Sequence, residues 1–282
     1  MNLWEALQEG KRLLSPVSDE PGVDAELLLR HVLHFDRGQL YRRLTEPLDS
    51  QFEEPYRSLL GRRAAHEPTP YIIGRKEFFA LDFEVTPAAI IPRPETEALV
   101  EEAIAFVRDH QADQVVAIAD IGTGCGAIAV TLACLLPSAQ LIAIDASGEA
   151  LTLARRNAVN HPSAQPIRFL QGDLLEPIDP PLDLILANLP YIPTAQWEQL
   201  PPEIREHEPR QGLDGGPDGL RQIARLLALA PPYLAEGGGV ILEVGDEQGS
   251  AATTLALEAF PDSQVRIEKD LAGLDRVLVI RT

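Results

Sequence analysis

Cysteine is almost absent from this chain: Cys125 and Cys134 are the only two in 282 residues. Two thiols do not suggest a disulfide framework and cannot by themselves make a metal site. Long apolar runs are missing as well. Each one is broken by Pro, Gly or charge well short of the ~20 residues that a membrane span needs. The opening stretch, MNLWEALQEGKRLL, patterns as an amphipathic helix and not as a basic-then-apolar leader. Basic residues are the third scarcity, with 24 Lys and Arg against 43 Asp and Glu, a formal net charge of −19 and a pI near 4.7. Residues 1–90 carry 11 basic and 15 acidic side chains, so most of the negative charge lies beyond them. No basic stripe that would grip phosphates is visible, which disfavours direct nucleic-acid binding and suits a basic protein partner. His66, His161 and His207 lack metal-like spacing. These scarcities lead us to expect a cytoplasmic protein with no metal and no membrane contact; we also expect a monomer, which the composition does not decide.

What is present falls into three stretches. Residues 1–65 show helical periodicity in LWEALQEGKRLL, DAELLLRHVLHF and FEEPYRSLLGRRAAH, with Pro21, Gly22, Asp49 and Ser50 at the breaks, and read as a small N-terminal helical domain. Residues 66–92 mix aromatic and apolar residues around Gly74 and read as a β-hairpin linker. Residues 93–282 alternate strand and helix. The strands are QVVAIADIG, AQLIAIDAS, PIRFLQGD, LDLILANLP, GGGVILEVG, SQVRIEKD and RVLVIRT. The helices are EALVEEAIAFVRDH, AIAVTLACLL, GEALTLARRNAVNH, GLRQIARLLALAPPYLA and GSAATTLALEAF. Alternation of this kind specifies a doubly wound, mostly parallel α/β sheet. The last two strands are separated only by LAGLD, too short for a parallel crossover, so they should pair antiparallel.

Polar residues cluster where these strands end. Gly122, Gly124 and Gly126 occupy the turn from the first strand into a helix, where glycine permits tight backbone angles and close ligand approach and the helix start offers free N–H groups. Taken alone, the spacing of Gly122, Gly124 and Ala127 also fits a nicotinamide or flavin site, and a ligand-free glycine turn would look the same. Asp145 ends the second strand about twenty residues on, where a carboxylate accepts from ribose hydroxyls. Asp173 ends the third, at a place suited to an adenine amino group. Asn188 ends the fourth, in ANLPYIP. Ligands of doubly wound sheets bind outside the carboxyl ends of the strands, and all four features map to that edge. Asp120, beside the glycines, favours a cationic cofactor over a pyrophosphate. S-adenosyl-L-methionine, with its sulfonium and ammonium groups, fits that preference.

The chain resembles the release-factor glutamine N5-methyltransferase family over nearly its whole length. The likeness lies in PTPYIIGRKEFF (68–79), IPRPETEALVE (91–101), DIGTGCGAIA (120–129), EPRQGLDGGPDGL (208–220), ILEVGDEQG (241–249) and DLAGLDR (270–276). The family's substrate motif is N-P-P-Y; here NLPY stands in its place. NLPY also occurs in adenine-N6 dimethylases of ribosomal RNA, but those have a different glycine loop, lack PRPETE and need a basic surface. A non-catalytic nucleoside-binding module would keep the Asp145 crevice yet tolerate loss of Asn188.

The resemblance implies a seven-stranded class I methyltransferase (Rossmann-like) sheet with a terminal antiparallel hairpin, preceded by a helical domain that docks the substrate. It implies methyl transfer from S-adenosyl-L-methionine, leaving S-adenosyl-L-homocysteine, to the glutamine of the GGQ motif of peptide chain release factors. Gly122, Thr123, Gly124, Cys125, Gly126, Asp145, Asp173, Leu174 and Asn188 would hold the cofactor. Asn188 and the Leu189 carbonyl would accept hydrogen bonds from the substrate NH2, Pro190 would fix the loop, and Tyr191 would wall the pocket. Cys125 is then a small loop residue and not a nucleophile, because the cofactor brings the electrophile. Arg93 and Glu97 are candidates to order a lid, or simply a salt-bridged turn.

Overall fold

The computed structural model describes residues 1–109, 115–270 and 272–282. His110 and Gln114, the expected end of a helix and start of a strand, and Leu271 in the last interstrand link lie outside the described residues. The chain divides into two compact units, Met1–Arg75 with Pro201–His207, and Lys76–Leu200 with Glu208–Thr282.

The first unit is helical: α1 (Leu3–Leu14), α2 (Pro21–Leu33), α3 (Arg37–Arg42), α4 (Ser50–Ala64) and α5 (Thr69–Ile73). Asn2 and Glu5 close a reciprocal capping box at the start of α1. Asp36 and Gln39 do the same for α3, a short helix that the apolar periodicity did not announce. Leu3, Leu7, Leu14, Leu28, Leu29 and Leu60 form its core. A Cβ at Gly10 would stand 2.9 Å from Ala25 Cβ, so glycine is what lets α1 and α2 approach closely. The Tyr56 hydroxyl donates to the Ala6 and Ala25 carbonyls from α4. Helix α5 ends on Gly74 in the left-handed conformation, as helix ends commonly do.

β1 (Arg75–Phe78), which begins on the last residue of Met1–Arg75, and β2 (Leu81–Glu84) form a two-stranded sheet that opens the second unit. There follow α6 (Glu97–Asp109), β3 (Ala117–Ile121), α7 (Ala127–Leu135), β4 (Gln140–Asp145), α8 (Gly148–Asn160), β5 (Ile167–Gln171), β6 (Leu182–Ala187) and β7 (Ile192–Pro193). Helix α9 (Pro202–His207) is the segment that belongs to the helical unit, where Glu203 pairs with Arg63 at 2.6 Å. The chain continues through β8 (Asp214–Gly216), α10 (Arg221–Leu229), β9 (Leu234–Glu243), α11 (Gly249–Ala259), β10 (Gln264–Lys269) and β11 (Asp275–Arg281).

The large sheet runs β10-β11-β9-β6-β3-β4-β5, with β11 antiparallel to both its neighbours. The expected terminal antiparallel pair is therefore present, and the architecture is that of a class I methyltransferase. Alternate residues of each strand face opposite sides. Leu184, Leu186 and Ile241 join Leu99, Val130 and Leu153 in one core, while Ile185, Val240 and Leu242 join Leu226 and Ala256 in the other. Helix α10 stops at Leu229, and Pro231–Tyr233 form a 3-10 turn, where the sequence suggested helix to 235. Two successive prolines remove the N–H groups that would continue it. The chain fills β3, β4 and β5 on one side before crossing to β6 on the other, so the topological switch falls between β3 and β6.

Candidate active site

The glycine loop begins where β3 ends. The N–H groups of Gly122 and Thr123 both donate to the Ile144 carbonyl, at 2.8 and 2.9 Å. Gly122 has φ +74°, and a Cβ there would lie 3.2 Å from Leu189 Cδ2. At Gly126, φ +85°, a Cβ would lie 3.0 Å from Ala154 Cβ on α8. Both positions therefore need glycine for backbone angle and for space. Buried Asn157 donates to the Cys125 carbonyl at 2.8 Å, tying the loop to α8. Burial pushes the Cys125 thiol up to about 12, which suppresses the thiolate and agrees with the reading that it is not a nucleophile.

The loop opens on a cavity of about 580 Å³ lined by Gly122, Gly124, Asp145, Asp173, Leu174, Asn188, Leu189 and Pro190, among others. Thr123, Cys125, Gly126 and Tyr191 lie beside it without lining it. Asp145 accepts from the Gly124 and Ser147 N–H groups, both at 2.9 Å. Burial holds its carboxyl above the usual range against those two donors. Asp120 is fully buried. Its Oδ2 accepts from the Thr123 hydroxyl at 2.6 Å, while its Oδ1 has no partner. Burial raises this carboxyl to about 7, with Asp145 adding to the rise. A buried carboxylate oxygen without a donor is costly, and a cation placed against it would relieve that cost. Asp173 also lines the cavity and is engaged by Arg225 at 2.6 and 3.3 Å. That pair is nearly half exposed, so it is weak enough for another donor to displace.

Asn188 leaves the end of β6 next to the end of β9, in the register that pairs Ala187 with Leu242. Its Nδ2 lies 3.0 Å from both Thr96 Oγ1 and Glu243 Oε2. The Thr96 hydroxyl donates to the same Glu243 oxygen at 2.6 Å, and the Tyr191 hydroxyl donates to Oε1 at 3.2 Å. Glu243 is 1% exposed, and burial raises its carboxyl against the donors around it. The Leu189 side chain is buried in the second core cluster, so this residue is a packing element as well as a backbone carbonyl.

Residues 208–220 shape the same loop from the other side. Ile192 donates to the Leu213 carbonyl, and β7 pairs with β8. Gln248 Nε2 donates to the Tyr191 carbonyl at 2.8 Å and to that of Asp218 at 3.2 Å. Gly219 needs its missing side chain, since a Cβ would fall 2.1 Å from the Tyr191 carbonyl. Glu208 accepts from Arg93 and from the Ile91 N–H, joining the segment that carries Ile90 to the segment that carries Pro209, Gln211 and Gly212 at the cavity rim. The Phe79 N–H donates to Glu97 at 2.9 Å, away from that rim.

Two residues of this site, Thr96 and Glu243, went unrecognised in the sequence. Glu243 had a legible signal, for it is a lone acid at the end of an apolar strand, on the same edge as Asp145 and Asn188. Thr96 offered none. Among the described residues no cluster of His, Cys, Asp and Glu could hold a metal, and none of their helices is long and apolar enough to cross a membrane.

Residues 5–74 match the PrmC N-terminal domain and residues 101–200 the methyltransferase small domain. The chain is 43% identical over 260 residues to a release factor glutamine methyltransferase of Geobacter sulfurreducens, covering 91% of this chain and 88% of that protein. It is 41% identical over 278 residues to one of Moorella thermoacetica, covering 98% and 97%. Among solved structures, a methyltransferase from Pyrococcus furiosus matches with TM-score 0.52 and 21% identity over 73% of this chain and 90% of that one. The catalytic domain of hMettl16, solved with an RNA hairpin, matches with TM-score 0.56 and 17% identity over 79% and 81%. The solved structures speak to the fold alone.

Proposed function

The chain belongs to the release factor glutamine methyltransferase family, and we propose that it methylates the side-chain amide nitrogen of the glutamine in the GGQ motif of peptide chain release factors, using S-adenosylmethionine. The residues present fit that cofactor. The unpartnered oxygen of Asp120 suits a cationic group beside the glycine loop, and Asp145 retains acceptor capacity for ribose hydroxyls. Asp173 is suited to the adenine amino group once Arg225 yields. When bound, the cofactor supplies an electrophilic methyl group on a sulfonium.

The remaining chemistry is positioning. A primary amide nitrogen is a weak nucleophile because its lone pair is delocalised into the carbonyl. Asn188 Oδ1 and the Leu189 carbonyl accept from the substrate NH2 and aim the nitrogen lone pair. Pro190 fixes the turn, and Tyr191, held by its hydroxyl on Glu243, stands beside the cavity to meet the planar amide. Orientation in a closed site can account for ~7–11 kcal/mol of barrier. The methylated amide is strongly acidic and loses its proton to water, so no side-chain base is required. The helical unit serves to dock the release factor.

The observation that carries this reading is the committed amide of Asn188. Its nitrogen faces Thr96 and Glu243 and the residue lines the cavity, which supports its oxygen as the acceptor for the substrate. The strong negative charge opposes the alternative, an adenine-N6 methyltransferase on RNA or DNA. The test is transfer of labelled methyl groups to purified release factor and, separately, to ribosomal RNA. Label in the release factor is expected; label in RNA alone would refute the proposal.

A further inference from the structure

We propose that Glu243, with Thr96, is a positioning residue that fixes which end of the Asn188 amide meets the substrate. The inference rests on the function proposed above and adds residues that the substrate motif itself does not contain. An asparagine side chain can present either its oxygen or its nitrogen to a ligand, and the two ends differ little in shape. Only the oxygen can accept from a substrate NH2. Something must therefore choose between the ends before the substrate arrives.

The choice follows from donors and acceptors. An ionised carboxylate can only accept. With Glu243 Oε2 3.0 Å from the amide, the nitrogen must face it, since the flipped amide would set oxygen against oxygen. The Thr96 hydroxyl spends its one proton on Glu243 and so can only accept from Asn188, which reinforces the same end. Thr96 Oγ1, Glu243 Oε2 and Asn188 Nδ2 form a triangle with sides of 2.6, 3.0 and 3.0 Å. That triangle is too narrow at nitrogen for two amide hydrogens, so one N–H is shared between both acceptors. Glu243 Oε1 meanwhile accepts from the Tyr191 hydroxyl, so one carboxylate sets both the amide and the ring of NLPY.

Burial of this carboxylate is not explained by stability. It is 1% exposed and satisfied by neutral donors, an arrangement that costs desolvation and that an apolar side chain would avoid. Burial raises this carboxyl, while the hydrogen bonds from Thr96 and Tyr191 and the Arg276 charge favour its ionised form and Glu95 opposes it. A position that fixes an orientation gives the cost a purpose.

The experiment inverts the pair. Glu243→Ala removes the acceptor, and kcat at saturating cofactor should fall about 10²-fold, the scale for losing one oriented group in a closed site. Cofactor affinity should stay within about threefold and thermal unfolding should show a folded protein. Glu243→Gln can turn its carbonyl toward Asn188, so its kcat should lie at least about tenfold above that of Glu243→Ala. Asn188→Asp sets two carboxylates face to face and should be slow. Adding Glu243→Gln to it restores a donor opposite an acceptor, and the double variant should turn over at least about tenfold faster than Asn188→Asp alone. A purely structural Glu243 predicts no such recovery.

A readout independent of turnover is the Asn188 side-chain amide signal in nitrogen-15 NMR, identified by its loss in Asn188→Ala. One of its protons should be shifted downfield by the carboxylate and move upfield in Glu243→Ala. A folded Glu243→Ala with kcat within threefold of native, a double variant no faster than Asn188→Asp, or an amide signal indifferent to Glu243 would each overturn the proposal. Native enzyme that leaves release factors unmethylated while the amide signal responds to Glu243 would refute the proposed function and leave the orientation intact.

Discussion

Asp120→Asn is the substitution whose effect on folding and on binding should run in opposite directions. In the native protein the buried carboxyl is raised from 3.8 to about 7, chiefly by burial. Below the lower value both folded and unfolded chains hold the proton, and the ionisation costs nothing. Between the two values the folded chain keeps a proton that the unfolded chain has lost, so stability falls as pH rises. Above the upper value the full cost is present, at most about 4 kcal/mol for a shift of this size. Asparagine abolishes that cost and can still accept from Thr123, but it places an amide nitrogen where Asp120 Oδ1 has no partner. An unpaired buried donor costs about 1–3 kcal/mol at every pH. The variant should therefore gain about 2–3 kcal/mol on the native protein between pH 5 and pH 8, and be the more stable of the two at the upper end. Removing the negative charge should also weaken S-adenosylmethionine binding by about tenfold or more. Thermal unfolding at the two pH values and calorimetric titration of the cofactor measure both effects. A stability difference that ignores pH, or unchanged cofactor affinity, would refute the assignment of Asp120.

The other sites make separate demands. Asp145→Ala should weaken cofactor binding by roughly 1.5–3 kcal/mol, the scale for hydrogen bonds to a charged acceptor, and calorimetry will detect it. Leu189→Pro keeps the carbonyl but removes a buried side chain packed on the second core, so chemical denaturation should show a loss of about 1–3 kcal/mol while turnover changes modestly. Arg225→Ala frees Asp173 from an exposed ion pair; stability should change by less than about 1 kcal/mol, and cofactor affinity should hold or improve. A marked loss of affinity there would mean that Arg225 itself contacts the cofactor.

Periodicity carried most of the architecture into view. The apolar strands 117–121, 140–145 and 182–187 and the helices between them are written in side-chain spacing, and the short link after residue 269 announced the antiparallel β11. Asp145 and Asn188 were legible because a polar residue closing an apolar strand has one place to be in a doubly wound sheet. Glu243 closes an apolar strand in the same way, but its partner Thr96 was not legible, because its meaning is a contact across 147 positions of chain. The same holds for Arg225 on Asp173, and for Pro201–His207, which joins helices more than a hundred residues earlier. In sequence Leu189 only stands where the family has proline, whereas packing against the core and over Gly122 gives it a second task.

In the proposed reaction the methyl group goes to an amide nitrogen gripped by Asn188. Purified release factor should be incubated with the enzyme and saturating S-adenosylmethionine, digested, and its GGQ peptide fragmented in a mass spectrometer. One added methyl group on the glutamine side chain is expected, with the rate reduced at least ~10²-fold in Asn188→Ala. A methyl group on any other residue, or near-native methylation by Asn188→Ala, would contradict the proposed reaction.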